Sequence, residues 1–115
     1  RAGLAGVLAD ICDTAGLSVE VNEKEIPITR ACRHLAEMLG LDPLTVANEG
    51  KILIAVAADD VDKIIAACNN HKYGKHAAII GNLTNAEPPL AELLTRNGGR
   101  RIVQRPYGEE LPRIC

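Results

Sequence analysis

Apolar residues recur at helical spacing in three stretches of the chain. Residues 3–15, 30–39 and 61–68 each place apolar side chains three and four positions apart, as on one face of a helix. Gly16 follows the first stretch, where a helix commonly ends, and Thr29 precedes the second, where a side-chain oxygen can cap it. Each predicted apolar face includes a cysteine: Cys12, Cys32 and Cys68. We therefore predict three helices that bury one cysteine each.

Other stretches carry the patterns of strands. Residues 17–22 alternate apolar and polar side chains, as a half-buried strand does. Residues 51–58, KILIAVAA, form a continuous apolar run, which is typical of a strand covered on both faces and predicts a central strand. The sequence HAAIIGNL, residues 76–83, predicts a further strand. Two short strands over 90–96 and 101–105 flank the sequence NGG, which indicates a hairpin.

Helices and strands interleave along most of the chain, and a hairpin closes it. This order predicts an α+β domain over residues 1–105, with helices packed on a mixed β-sheet. From Pro106 onward nothing is periodic, and the prolines and glycine there disfavour both helix and strand. Residues 106–115 are therefore predicted to form a mobile C-terminal tail.

Composition narrows the class of protein. With 115 residues and 47% hydrophobic content, the chain suits one domain whose core is aliphatic, because it has two Tyr and no Phe or Trp. A net charge of −2 and the lack of aromatic platforms argue against a nucleic-acid partner. No apolar run approaches the ~18 residues of a membrane span, so no membrane association is expected.

The first residues and the positions of the cysteines indicate the cellular compartment in which the protein is expected. Asp10 and Asp13 interrupt the first apolar stretch, which therefore does not read as a signal peptide. Three of the four cysteines lie on predicted helix faces rather than in loops, so we expect reduced thiols and a cytoplasmic setting. Because Arg1 leads directly into a helical pattern, we also expect an N-terminal part outside these residues.

The fourth cysteine, Cys115, is the last residue, in the sequence LPRIC. The nine residues from Tyr107 to Cys115 can span roughly 30 Å when extended, at about 3.3 Å each, so one thiol can reach separate places. Arg113 would favour its thiolate, which is the reactive form of cysteine, while the terminal carboxylate would oppose it. A prenyl anchor does not fit, since the cysteine would have to lie four residues from the end. A functional thiol and an incidental one both stay open on this chemistry.

Two Cys–His pairs and one acidic turn are further candidates. Cys32 with His34, and Cys68 with His71, are spaced as zinc ligands can be. Cysteines in the core beside histidines on the surface are the favoured interpretation, so no metal site is predicted. In ANEGK, Asn48 and Gly50 are turn residues, and the Glu between them is either a solvated charge or a general base at a strand edge. No phosphate-binding glycine motif is present.

Four segments together resemble one family. The sequences RAGLAGVLADI, LGLDPLTVANEGKILIAV, IIGNL and LPRIC are similar to the C-terminal domain of the HypE family of hydrogenase maturation proteins, over residues 1–115. The middle motifs are shared with the wider aminoimidazole ribonucleotide synthase superfamily, whereas the terminal PRIC is specific to HypE. One departure is Ala2, where the family more often has Gly, and we expect it to affect the start of the first helix.

The resemblance implies a chemistry. The carbamoyltransferase HypF would carbamoylate the terminal thiol, here Cys115, and ATP would drive dehydration of the thiocarboxamide to a thiocyanate. That group would supply the cyanide ligand of iron held by the HypC–HypD complex. Glu49 would take the proton from the thiocarboxamide nitrogen, and Asn48 would position the group. Pro112 and Arg113 would stiffen and guide the tail.

The resemblance also implies that the full-length protein, and not this part of it alone, is the active enzyme. ATP and Mg would be bound mainly by a preceding domain, through which full-length members form homodimers, so residues 1–115 alone are expected to be inactive. Two alternatives stay open: a piece of another ATP-dependent synthetase of the same superfamily, or a non-catalytic binding or structural domain with an incidental terminal cysteine.

Overall fold

The three predicted helices are present in the structure, a computed structural model that describes residues 2–105. They are α1 (Gly3–Ala15), α2 (Arg30–Leu39) and α3 (Val61–Asn69). Gly16 ends α1 with a left-handed φ of 66°, as predicted from its lack of a side chain. Thr29 caps α2, since its Oγ1 accepts a hydrogen bond from the backbone N–H of Cys32 at 3.2 Å. No helix among residues 2–105 is both long and apolar enough to cross a membrane.

Four strands form one mixed sheet. They are β1 (Ser18–Asn22), β2 (Gly81–Thr84), β3 (Ala91–Leu94) and β4 (Arg100–Ile102), in the spatial order β2-β1-β3-β4. β1 runs parallel to β3 and antiparallel to β2, and β3 and β4 form the predicted antiparallel hairpin. The prediction of an α+β domain with a mixed sheet and packed helices is confirmed.

The predicted central strand over 51–58 is wrong for the described structure. Residues 51–57 lie outside the sheet, and its inner strands are β1 and β3. Ile52 is 82% exposed and Ile54 is 47% exposed. A strand exists only where a neighbour completes its hydrogen-bond ladder, and no other described segment pairs with these residues. The strand predicted over 76–83 is also shorter, because pairing begins at residue 81.

The core lies between α1 and the sheet. Its most deeply buried large side chains are those of Leu8, Val21 and Leu93. Cys12 is buried beside them on α1, and Leu44 reaches the same cluster from the connection after α2. The core is aliphatic, as the composition predicts.

The other two helices contribute little to this core. Ala36 is the single buried residue of α2, and α3 has none. The expectation that all three helical cysteines are buried is therefore wrong for Cys32, which is exposed, whereas Cys12 is buried and Cys68 is half-buried. Helix α2 has the predicted helical period, but most of its apolar side is left uncovered by the described residues.

Candidate functional site

The connection after α2 is held in a fixed conformation by its own polar side chains. Asp42 Oδ1 accepts a hydrogen bond from the backbone N–H of Leu44 at 2.9 Å, and Thr45 Oγ1 donates to the carbonyl of Asp42 at 2.9 Å. The second carboxylate oxygen of Asp42 is 2.8 Å from Nη2 of Arg101, on β4. One aspartate therefore shapes the turn and also ties it to the sheet.

The same connection packs closely against the N-terminus of α1. The backbone N–H of Ala5 donates to the carbonyl of Leu44 at 2.8 Å. Gly3 has a φ of 60°, and a Cβ placed there would lie 2.7 Å from the carbonyl oxygen of Val46 and closer still to that of Leu44. Glycine is thus required at position 3 both for its backbone conformation and for the space it leaves.

Asn48 and Glu49 follow this packed stretch, and both are exposed. Nδ2 of Asn48 donates to the carbonyl of Val46 at 3.0 Å, which holds the amide group against the turn. Gly50 then adopts a φ of 76°, a conformation that suits glycine. The predicted pair therefore lies on a loop that is anchored to α1 and accessible to a group approaching from solvent.

The remaining predicted residues, Pro112, Arg113 and Cys115, lie outside the described residues. The predicted roles of all five site residues stay predictions. No cluster of three or more His, Cys, Asp or Glu side chains suited to a metal occurs within residues 2–105.

An ion-pair cluster that the sequence did not reveal holds the end of the described chain. Val103 is buried, and its N–H donates to the carbonyl of Ala91 at 2.7 Å. Two residues later, Arg105 pairs with Asp10 and with Asp13, the latter at 3.2 Å between Nη2 and Oδ2. Asp10 and Asp13 share a face of α1 through their i, i+3 spacing, but their partner is more than ninety residues away in sequence, so only the fold brings them together.

A groove of about 450 Å³ lies beside this cluster, between α1 and the hairpin. Its lining includes Cys12, Asp13, Ile102 and Arg105. Burial raises the pKa of the Cys12 thiol above its ordinary value, more than a backbone hydrogen bond with Val19 lowers it. The Cys12 side chain is therefore held as a neutral thiol and is poorly suited to act as a nucleophile.

The histidines of the two candidate zinc pairs are exposed. Nδ1 of His71 accepts a hydrogen bond from the backbone N–H of Tyr73 at 3.2 Å, and the two rings lie 5.5 Å apart. These contacts order the loop that follows α3 through ordinary side-chain packing.

Residues 1–89 match the family described as AIR synthase related protein, C-terminal domain. The chain belongs to this family. The α+β fold is therefore that of a known domain family.

Individual members of the family show the resemblance in more detail. The carbamoyl dehydratase HypE of Rhizobium leguminosarum bv. viciae is 39% identical over 115 residues, which are 100% of this chain and 33% of that protein. A solved structure of a HypE–HypF complex has 35% identity and a TM-score of 0.86 over 92% of this chain and 34% of that chain. A solved structure of the hydrogenase maturation protein HypE in complex with ATP has 31% identity and a TM-score of 0.91 over 100% of this chain and 36% of that chain.

The chain spans about a third of the length of the curated relatives it matches. The resemblance to the C-terminal domain of HypE, inferred from four short motifs, is confirmed by these family members. The alignment with this curated relative includes all 115 residues of the chain.

Proposed function

We propose that this chain acts as the C-terminal domain of a hydrogenase maturation factor of the HypE type, in which residues 106–115 present the thiol of Cys115 for modification. The observation that carries the proposal is the 39% identity to a carbamoyl dehydratase HypE over all 115 residues. The domain over residues 1–105 would then serve as the platform for the reacting group.

In the first proposed step, the Cys115 thiolate attacks the carbonyl carbon of an activated carbamoyl donor. The bond from that carbon to the donor's leaving oxygen breaks, the leaving group departs as its anion, and the sulfur becomes part of a thiocarboxamide, S–C(=O)–NH₂. Sulfur suits this step because it is a good nucleophile and a good later leaving group. HypF is the proposed donor partner, and the solved complex of a relative with HypF supports that choice.

In the second proposed step, ATP phosphorylates the thiocarboxamide oxygen, which then leaves as phosphate while the nitrogen loses both protons. The product is a thiocyanate, S–C≡N, with ADP and phosphate. The solved HypE complex with ATP supports ATP as the co-substrate. The nucleotide and Mg²⁺ would be bound mainly outside residues 1–115.

Glu49 is the proposed base for the nitrogen protons, and Asn48 the proposed positioning residue. Glu49 is exposed on a loop that is anchored to α1 and, through Asp42, to Arg101 on the sheet. A base works best when its position is fixed before the reaction, which is what such an anchored loop provides. Nδ2 of Asn48 is engaged with Val46, so its amide oxygen is the group that would accept a hydrogen bond from the thiocarboxamide.

Transfer of the cyano group to iron held by a HypC–HypD complex would complete the sequence. Pro112 would restrict the backbone near the thiol, and Arg113 would provide a positive charge for recognition of the tail. We expect the full-length protein to form a homodimer and to work in the cytoplasm, where thiols stay reduced.

Mass spectrometry of the terminal peptide tests the proposal. The full-length protein is incubated with HypF, carbamoyl phosphate and ATP, and we expect a carbamoyl adduct and then a cyano adduct on the peptide that ends in Cys115. Cys115→Ala should remove both adducts. An adduct on another cysteine, or none at all, would contradict the proposal and favour a non-catalytic domain with an incidental cysteine.

A second variant separates the two steps. Glu49→Gln should leave carbamoylation intact and slow the conversion of carbamoyl to cyano by about 100-fold, a typical effect of losing a general base. Glu25→Gln is the matched control, because Glu25 is an exposed glutamate on another connection. Equal conversion by both variants would exclude Glu49 as the base.

A further inference from the structure

The segment of residues 51–57 is apolar and largely uncovered. Beyond Ile52 and Ile54, Val56 is 37% exposed, so large apolar side chains at alternate positions face solvent. Leu53, at an intervening position, packs in part against the core. Contiguous apolar surface of this kind is uncommon on a free-standing domain and marks an interaction site.

Within the described part of the chain, the backbone of this segment is also unpaired. Among residues 2–105, none is joined by a backbone hydrogen bond to residues 51–56. The composition favours a strand, because Ile and Val are β-branched and the stretch contains neither Gly nor Pro. A row of unpaired N–H and C=O groups beside apolar side chains is a template for a further strand.

Helix α2 also carries apolar surface that lacks a covering layer among the described residues. Leu35, Met38 and Leu39 are all more than half exposed. The larger apolar side chains of α3 are half-buried, so that helix is covered in part. Because domains are built from packed layers, uncovered apolar faces on two separate parts of the chain indicate that further polypeptide packs against this unit.

We propose that the 51–57 segment pairs, strand to strand, with an apolar β-strand supplied by the same polypeptide from outside these 115 residues. The relatives have the length for such a strand, since the matched region is only 33% of the HypE of Rhizobium leguminosarum. The inserted strand would satisfy the backbone groups of residues 51–56 and cover Ile52, Ile54 and Val56. This inference is independent of the role proposed for Cys115.

A strand from the same polypeptide fits better than a second copy of the chain. The segment carries a single charge, that of Lys51, and lacks the several charges and prolines that protect a permanently exposed edge. Such a surface is an aggregation hazard unless it is covered at all protein concentrations. Pairing within one polypeptide meets that requirement, whereas pairing between copies fails on dilution.

Amide hydrogen exchange in the natural full-length polypeptide tests the pairing. We expect at least every second amide of residues 51–57 to exchange about 100-fold more slowly than an unstructured peptide, at protein concentrations from 1 to 100 times the lowest used. Exchange at the unstructured rate would overturn the proposal. Protection that disappears on dilution together with dimer dissociation would also overturn it, since a second copy would then be the occupant.

Matched substitutions in the same full-length protein provide a second readout that does not require the 115 residues to fold alone. Ile54→Lys should lower the melting temperature strongly, because the proposed strand buries Ile54. Ile102→Lys is the control: Ile102 is 51% exposed, close to the 47% of Ile54, but lies on β4 at the far edge of the sheet. Equal shifts for the two variants would contradict burial of the 51–57 segment.

Discussion

Ala2 begins α1 in a conformation that alanine seldom adopts. Its φ of 54° and ψ of 20° lie in the left-handed region, and no other non-glycine residue among 2–105 has a positive φ. The departure from Gly at this position in the HypE-like motif thus acts at the start of the helix, as expected from the sequence. The side chain adds local strain and makes no capping hydrogen bond.

Ala2→Gly should therefore stabilise the protein. Relief of the left-handed strain exceeds the added flexibility of the unfolded chain, and we expect a gain of about 1 kcal/mol in the free energy of unfolding. Urea denaturation measures it. Ala66→Gly, at an exposed position of α3, is the control and should lose about 1 kcal/mol, because there glycine weakens an ordinary helical position. A loss at both positions would show that Ala2 is unstrained.

The buried thiol of Cys12 predicts a pH effect on stability. Burial raises its pKa in the folded state, so above the ordinary value of 9.0 the unfolded chain loses the proton first. The unfolded state then binds fewer protons than the folded state, and stability falls as pH rises through this window. Below it the contribution of Cys12 is fully present.

The test compares urea unfolding at pH 7.5 and pH 10 for wild type and Cys12→Ala. Wild type should lose more stability between the two values than the variant does, since only wild type carries the buried thiol. Cys32→Ala serves as the control because its side chain is exposed. An equal loss for wild type and Cys12→Ala would show that this thiol does not titrate differently on folding.

At the scale of elements, the contact between α1 and the loop that carries Asn48 depends on one glycine. Gly3 and Gly16, at the two ends of α1, have nearly the same φ, 60° and 66°. A Cβ at Gly16 would meet nothing within 4 Å, whereas one at Gly3 would overlap the carbonyls of Leu44 and Val46. The pair separates the cost of backbone conformation from the cost of a clash.

Gly16→Ala should lower the free energy of unfolding by about 1 kcal/mol, from the left-handed φ alone. Gly3→Ala should lower it by about 3 kcal/mol, because the loop must also move away from α1. In the full-length protein, Gly3→Ala should in addition slow conversion of the carbamoyl to the cyano adduct, since the loop positions Glu49. Equal destabilisation by the two substitutions would mean that the loop after α2 moves away from α1 without lowering the free energy of unfolding.

Local sequence signals predict the helices better than the strands. The bounds of α1 and α2 follow from apolar period and from Gly16, Thr29 and Gly40, which act within one turn of the chain. The strand predicted over 51–58 required a neighbour, which hydrophobic run length does not reveal. The burial of a helix is equally hard to predict from its own sequence. Helix α2 has the predicted period, but other parts of the polypeptide decide whether its apolar side is covered.

Across the whole molecule, the sequence predicts candidate residues but not which of them lie close together in the fold. Asn48 and Glu49 were predicted as a turn before an apolar run, and their anchoring to α1 through Leu44 emerges only from the fold. The pairing of Arg105 with Asp10 and Asp13 likewise requires the two ends of the domain to meet. Contacts between residues far apart in sequence leave no periodic signal.

The 115 residues alone should neither bind ATP well nor hydrolyse it. In the proposed function, ATP and Mg²⁺ are bound mainly outside these residues. An ATPase assay and isothermal titration with Mg–ATP should give no signal above that of a blank without protein. Turnover or saturable heat of binding with the fragment would place the nucleotide site within these residues.

The exposed thiol of Cys32 has a consequence for chemoselectivity. If any accessible sulfur were sufficient for carbamoylation, Cys32 on α2 would compete with Cys115, because the fold leaves its side chain open to solvent. Discrimination between the two thiols would then come from polypeptide that packs over α2, or from recognition of the residues before Cys115 by the proposed donor enzyme. A carbamoyl adduct on Cys32 of the full-length protein would show that neither operates.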